Sequence, residues 1–137
     1  MSSIVLVGSD LALLEGLAQT LGAVGHRTLM ASSVAEGTAL AAAAPPLIAL
    51  VDRDMALAHV RTGALRMPLA PGGSLVLFRS TDEPSAPLPP ALVRITLADL
   101  ALPLERHRLV ALVRSVEERA HHSGRDRPQT PPESRVV

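Results

Sequence analysis

Five apolar residues in a row, Leu47-Ile48-Ala49-Leu50-Val51, closed by the carboxylate of Asp52, constrain this chain more than any other stretch. The run follows Pro45-Pro46 and shows no polar alternation. Such a run reads as a strand buried on both faces, the habit of parallel sheets covered by helices. Asp52 then stands at the carboxyl end of the strand, the edge at which ligands and chemistry gather in open parallel α/β sheets, and so is a site candidate. The plainer reading of the same residue is a capping carboxylate for the element that follows.

Strand and helix alternate on either side of this run. Ile4-Val5-Leu6-Val7 is apolar and β-branched, and Gly8-Ser9-Asp10 breaks it. Ser9 or Asp10 can cap a helix over about Leu11–Leu21, in which Leu11, Leu14, Leu17, Ala18 and Leu21 recur at helical spacing; Gly22 and Gly25 end it. Arg27–Ala31 reads as a second strand, and Ser32-Ser33 can cap an alanine-rich helix over Val34–Ala44. Pro45-Pro46 stops that helix and feeds the buried third strand.

Beyond Asp52, Met55–Leu65 reads as a short helix with Met55, Leu57, Ala58 and Leu65 partly buried, and Pro68–Gly73 as a turn-rich connection to a fourth strand, Ser74–Phe78. Between Ser80 and Pro90 the prolines Pro84, Pro87, Pro89 and Pro90 each remove a backbone donor, so the fourth helix is expected to be irregular or shortened. A last strand falls within Val93–Ala101. Pro103 suits a first helical turn and opens a helix to about His121, with Leu104, Leu109, Leu112, Val113 and Val116 as its apolar stripe. Arg106, Arg114, Glu117 and Glu118 take the wet side, where Arg114 can pair with a following glutamate at little gain. Residues 123–137 are polar, proline-containing and aperiodic, and read as a disordered tail behind a domain over residues 1–122. Five strand–helix alternations point to a three-layer α/β/α sandwich around a parallel sheet.

Composition narrows the function classes. Lys plus Arg and Asp plus Glu are equal at 13 each, so no global field draws nucleic acid or anionic lipid. With no cysteine there is no disulfide framework and no thiolate metal site. Neither a signal peptide nor a membrane span is visible, which is the pattern of a cytoplasmic protein. Phe78 is the only aromatic residue, so stacking platforms for bases and aromatic interface anchors are missing. His107 and His121-His122 lack a carboxylate or cysteine spacing that supports ligation, and no metal is expected there. Gly8-Ser9-Asp10 lacks the further glycines of a dinucleotide fingerprint and the Gly-Lys-Ser/Thr of a phosphate loop, and Ser9 has no nucleophile elbow.

The opening Ile4-Val5-Leu6-Val7-Gly8-Ser9-Asp10, the helix end Gly22-Ala23-Val24-Gly25-His26, the Pro46-to-Asp52 strand and Leu102-Pro103 before the last helix share an order and nearly a spacing. In these the chain resembles the receiver domain of bacterial two-component response regulators, the CheY-like superfamily, over about Ile4 to Ala120. Ordered spacing, not any single motif, carries the resemblance. It implies a flavodoxin-like, doubly wound fold with a five-stranded parallel sheet, and it places Asp52 at the family's phosphoacceptor position.

The rest of that pocket departs from the family pattern. The acidic pair that holds Mg²⁺ falls on Gly8 and Ser9, with Asp10 one residue late. The family's Thr or Ser after the fourth strand falls on Arg79 or Ser80, its Lys before a proline on Leu102, and its switch aromatic on Asp99. Mg²⁺ demands hard oxygen ligands in near-octahedral geometry, so Asp52 alone is a poor site; Asp10 or Asp54 can rescue one if the loops shift. Without the pair and the cation, phosphoryl transfer loses charge neutralisation worth several kcal/mol of barrier. Arg79 can instead reach Asp52 as a permanent charge-assisted pair, or simply point to solvent.

The resemblance and its departures imply a stand-alone, degenerate pseudo-receiver: a non-enzymatic, phosphorylation-independent protein-interaction module without a cofactor. Its interaction face would be the proline-rich segment, the last strand and the last helix. A working receiver phosphorylated on Asp52 by a histidine kinase in a phosphorelay stays open, as does a small metabolite-binding α/β domain. The partner is a protein, a histidine kinase or another signalling protein, with a homodimer also open; nucleic acid and membrane are not expected partners.

Overall fold

The computed structural model describes residues 2–80, 87–103 and 105–129, and only the backbone of residues 122–129. Pro84, Leu104 and residues 130–137 of the expected tail therefore lie outside the described residues.

The elements run β1 (Ser3–Val7), α1 (Leu11–Ala23), β2 (Arg27–Ala31), α2 (Val34–Ala43), β3 (Ile48–Asp52), α3 (Arg53–Val60), β4 (Ser74–Arg79), α4 (Pro90–Val93), β5 (Thr96–Ala101) and α5 (Arg106–Gln129). The five strands form one sheet in the order β2-β1-β3-β4-β5, parallel throughout. Because side chains alternate across a strand, the central strands feed two cores. Ile4, Leu6, Ile48, Leu50, Val76 and Phe78 pack with α1 and α5 on one face. Val5, Val7, Ala49, Val51, Leu75 and Leu77 pack with α2, α3 and α4 on the other. The apolar run that opens the argument is buried from Leu47 to Val51, as a central parallel strand requires.

Caps read from the sequence start the first two helices: Asp10 accepts from the Leu13 N–H at 3.1 Å and Ser33 from the Glu36 N–H at 3.1 Å. Gly25, at φ +94°, turns the chain out of α1 in a conformation that favours glycine. Leu11, expected on the buried stripe of α1, is 60% exposed; Leu14, Leu17 and Leu21 carry the burial.

The second half departs further from expectation. α3 starts at Arg53 and ends at Val60, because Asp52 closes β3 and caps α3 with no loop between, and the Thr62 and Gly63 N–H groups both fold back to the His59 carbonyl. This phase buries Arg53 and Ala56 in place of Ala58. α4 is a single turn, as its prolines predict. Pro103 does not open α5: the helix begins at Arg106, whose N–H bonds the Pro103 carbonyl at 3.1 Å. Leu109, Val113 and Val116 are buried against the sheet as expected. α5 also runs past His121, so residues 123–129, read as tail, are helical. Before Pro128 that stretch holds no β-branched residue, and Gly124, its weakest helix former, costs about 1 kcal/mol relative to alanine and does not stop a helix.

Glu117 of α5 turns to β1, where the Ser2 hydroxyl donates to its Oε2, and His26 Nδ1 lies 4.0 Å from the same oxygen. The Ser2 hydrogen bond holds the Glu117 carboxyl below its ordinary value of 4.5, with His26 adding to the effect. A carboxyl depressed in the fold contributes stability above the unfolded pKa and loses it as pH falls through the folded one. The expected result is a Glu117 side-chain carboxyl ¹³C titration with its midpoint below 4.5, moving up in Ser2→Ala, with a shallower loss of stability on the acid side.

Candidate functional site

β3 delivers Asp52 to the carboxyl edge of the sheet, and α3 begins at once. Its Oδ1 accepts the backbone N–H groups of Asp54 at 2.8 Å and Met55 at 3.2 Å, so the two readings of this residue, edge carboxylate and cap, are both realised. A negative charge at a helix start is favoured by the helix dipole, which makes this a stable resting place for the carboxylate. Asp10 does the same for α1. Asp54, Ser9 and Ser80 are exposed around the edge.

Gly8 and Leu102 are buried. A Cβ on residue 8 would stand 3.1 Å from Phe78 Cζ and 3.3 Å from Leu14 Cδ2, in contact with two fully buried side chains. Phe78 lies opposite Asp52 in the β3–β4 register, so the ring fills the ground between Gly8 and the strand ends. Leu102 follows β5, packs into the same core, and donates its N–H to the Arg79 carbonyl at 2.8 Å. The Leu102–Pro103 peptide is cis.

Arg79 does not pair with Asp52. Its Nη1 donates to Asp99 Oδ1 at 3.0 Å, while Arg53 Nε donates to Asp99 Oδ2 at 3.1 Å. Alternation explains the correction: Asp52 pairs in register with Phe78, so the next residue, Arg79, projects through the opposite face of the sheet. Asp99 lies opposite Leu77 on that same face, and Arg53 leads α3 onto it. The Arg53 side chain is 7% exposed and those of Arg79 and Asp99 26% each. Arg53 is the only fully buried charged residue among those described, and sequence reasoning missed it. Its signal was parity, since Val51 and Arg53 share a face; the register of β5 was needed to see its partner.

The residues at the positions that the resemblance assigns to a Mg²⁺ ion supply few oxygen ligands for it. Gly8 carries no side-chain oxygen, a Cβ there would already be tight against Phe78 and Leu14, and the Asp10 and Asp52 carboxylates accept backbone cap bonds. Among the described residues no group of three or more His, Cys, Asp or Glu side chains is placed to hold a metal. His107 and His121 stand on α5 about 21 Å apart at the helical rise, and the His122 side chain lies outside the described residues. No helix among the described residues is long and apolar enough to cross a membrane.

No protein-family model matches the sequence, and no curated protein matches it. Solved structures do match. A CheY-like receiver domain from Methanospirillum hungatei is 19% identical at a TM-score of 0.64, over 86% of this chain and 95% of that one. A receiver domain from Methylobacillus flagellatus is 12% identical at 0.65, over 85% and 98%. NtrX from Brucella abortus, solved with ADP, is 16% identical at 0.71, over 93% of this chain and 29% of that longer one. A five-stranded parallel sheet in the order β2-β1-β3-β4-β5, helices on both faces and these likenesses together give the chain the flavodoxin-like fold of CheY-like receiver domains.

Proposed function

We propose that this chain is a receiver-like signalling domain that works without phosphorylation, as a non-catalytic protein-interaction module. The observation that carries the reading is the Phe78 ring against Gly8, which stands, without a side chain and tightly packed, where a metal-dependent phosphoacceptor pocket needs an acidic one. Two further features support it. The Asp52 carboxylate already serves two backbone donors, and Leu102 puts an alkyl group in the core where phosphoryl transfer would need a cation.

The interaction face is the β5 edge. Because α4 is one turn, Val93, Ile95 and Leu97 stay 57%, 43% and 41% exposed beside it, a run of apolar side chains that a globular surface normally covers. The partner is a protein, either a histidine kinase or another signalling protein, or a second copy of the chain. A second reading, phosphorylation of Asp52 itself, is favoured by that residue's place at the end of β3 and by capping bonds that use only Oδ1.

The test is titration of the full chain with beryllofluoride and Mg²⁺, read by amide NMR and thermal melting beside Asp52→Asn. The expected result is no saturable shift around Asp52 at millimolar Mg²⁺. Asp52→Asn keeps a good cap and should lose under about 1 kcal/mol, whereas Asp52→Ala should lose about 1 kcal/mol. Mg²⁺-dependent shifts that disappear in Asp52→Asn would establish the second reading instead.

A further inference from the structure

The three side chains Arg53, Asp99 and Arg79 come from the α3 start, β5 and β4, and they meet across sequence separations of 46 and 20 residues. One carboxylate with both oxygens engaged joins three elements at the carboxyl edge of the sheet. A carboxylate bridging two guanidiniums through separate oxygens ties both to one point, and burial of Arg53 shields its arm from solvent screening. Arg53 also follows Asp52 directly, and the backbone between them is fixed by the Asp54 and Met55 N–H bonds to the Asp52 carboxylate. The two arms differ. Each arginine reaches Asp99 through one bond, but the Arg79 side chain is 26% exposed against 7% for Arg53, and its buried Nε has no hydrogen-bond partner among the described residues, so this arm is the weaker one.

We propose that Arg53, Asp99 and Arg79 form a permanent internal clasp that holds the carboxyl ends of β3, β4 and β5 in one arrangement and opens first at Arg79. The clasp deepens the phosphorylation-independent reading, on which it rests: the charge pairing that sets this edge comes from the chain itself. Its state is thus independent of any ligand at Asp52. Binding at the β5 edge then meets a preformed surface and not a conformational equilibrium.

The test compares the full wild-type chain with Arg79→Met and Asp99→Asn by amide hydrogen exchange and relaxation-dispersion NMR. In the wild type, dispersion profiles at Asp52, Arg53, Phe78 and Ala101 should be flat. In both variants, millisecond exchange should appear at these positions and the Leu102 amide, bonded to the Arg79 carbonyl, should exchange about tenfold faster while β2 amides stay unchanged. Arg79→Met, at a quarter-exposed position, decides the matter if Asp99→Asn does not fold. Unchanged exchange in Arg79→Met, equal acceleration over the whole sheet, or dispersion already present in the wild type would overturn the clasp. A wild-type response to beryllofluoride would instead overturn the functional reading, and the variant data would still judge the clasp separately.

Discussion

Gly8→Asp should cost the protein several kcal/mol of stability and create no metal site. Phe78 and Leu14, the two side chains a Cβ at this position would meet at 3.1 and 3.3 Å, are 1% and 2% exposed, so an added side chain must push into a packed core. Overpacking of this kind costs about 1–3 kcal/mol, and an unpaired buried carboxylate adds about as much again or takes up a proton. Gly8→Ala isolates the steric part and should fall within that first range. Phe78→Ala, by cavity formation, should cost about 3–5 kcal/mol alone, yet the added cost of Asp at position 8 should shrink in that background because the ring is gone. Urea denaturation of the four proteins measures both numbers. A Gly8→Asp protein as stable as wild type that also binds Mg²⁺ would overturn the filled-pocket account.

Asp99→Leu is the second large effect, about 2–4 kcal/mol. Removing one partner of a buried ion pair costs about 3–5 kcal/mol, and the lower range applies here because Arg79 and Asp99 are each a quarter exposed. The sign reverses when all three charges go: Arg53→Met, Arg79→Leu and Asp99→Leu together should come within about 1 kcal/mol of wild type, since desolvated charges return little net stability over well-packed apolar side chains. Chemical denaturation of the single and triple variants checks this. Losses that simply add across the three positions would show that the residues act separately.

The sheet and most of its helices were legible because they rest on local signals. Arg27–Ala31, the caps Asp10 and Ser33, and the truncation of α4 by prolines each need only neighbouring residues to be read. The site was legible in part: the position of Asp52 at a strand end follows from the apolar run, and the mismatch at Gly8 and Leu102 follows from residue type. What stayed hidden depends on register. The β4–β5 pairing shifts between Leu75 and Val76, so the face taken by Asp99 cannot be counted from the strand's approximate limits. Without that face, Arg79 could be given only Asp52 or solvent, and Arg53 had no partner in view. The contact of Phe78 with Gly8 is likewise a matter of which strands are neighbours, and nothing in the intervening residues encodes it.

The strand order has a consequence for how the chain assembles during synthesis. β3, β4 and β5 are laid down outward in sequence order from a centre that β1 and β2 complete first. A chain that has emerged only through Arg79 therefore holds both arginines of the cluster before the carboxylate that joins them. Asp99 arrives with the last strand, so the tie between β3, β4 and β5 closes only when the final edge of the sheet is in place.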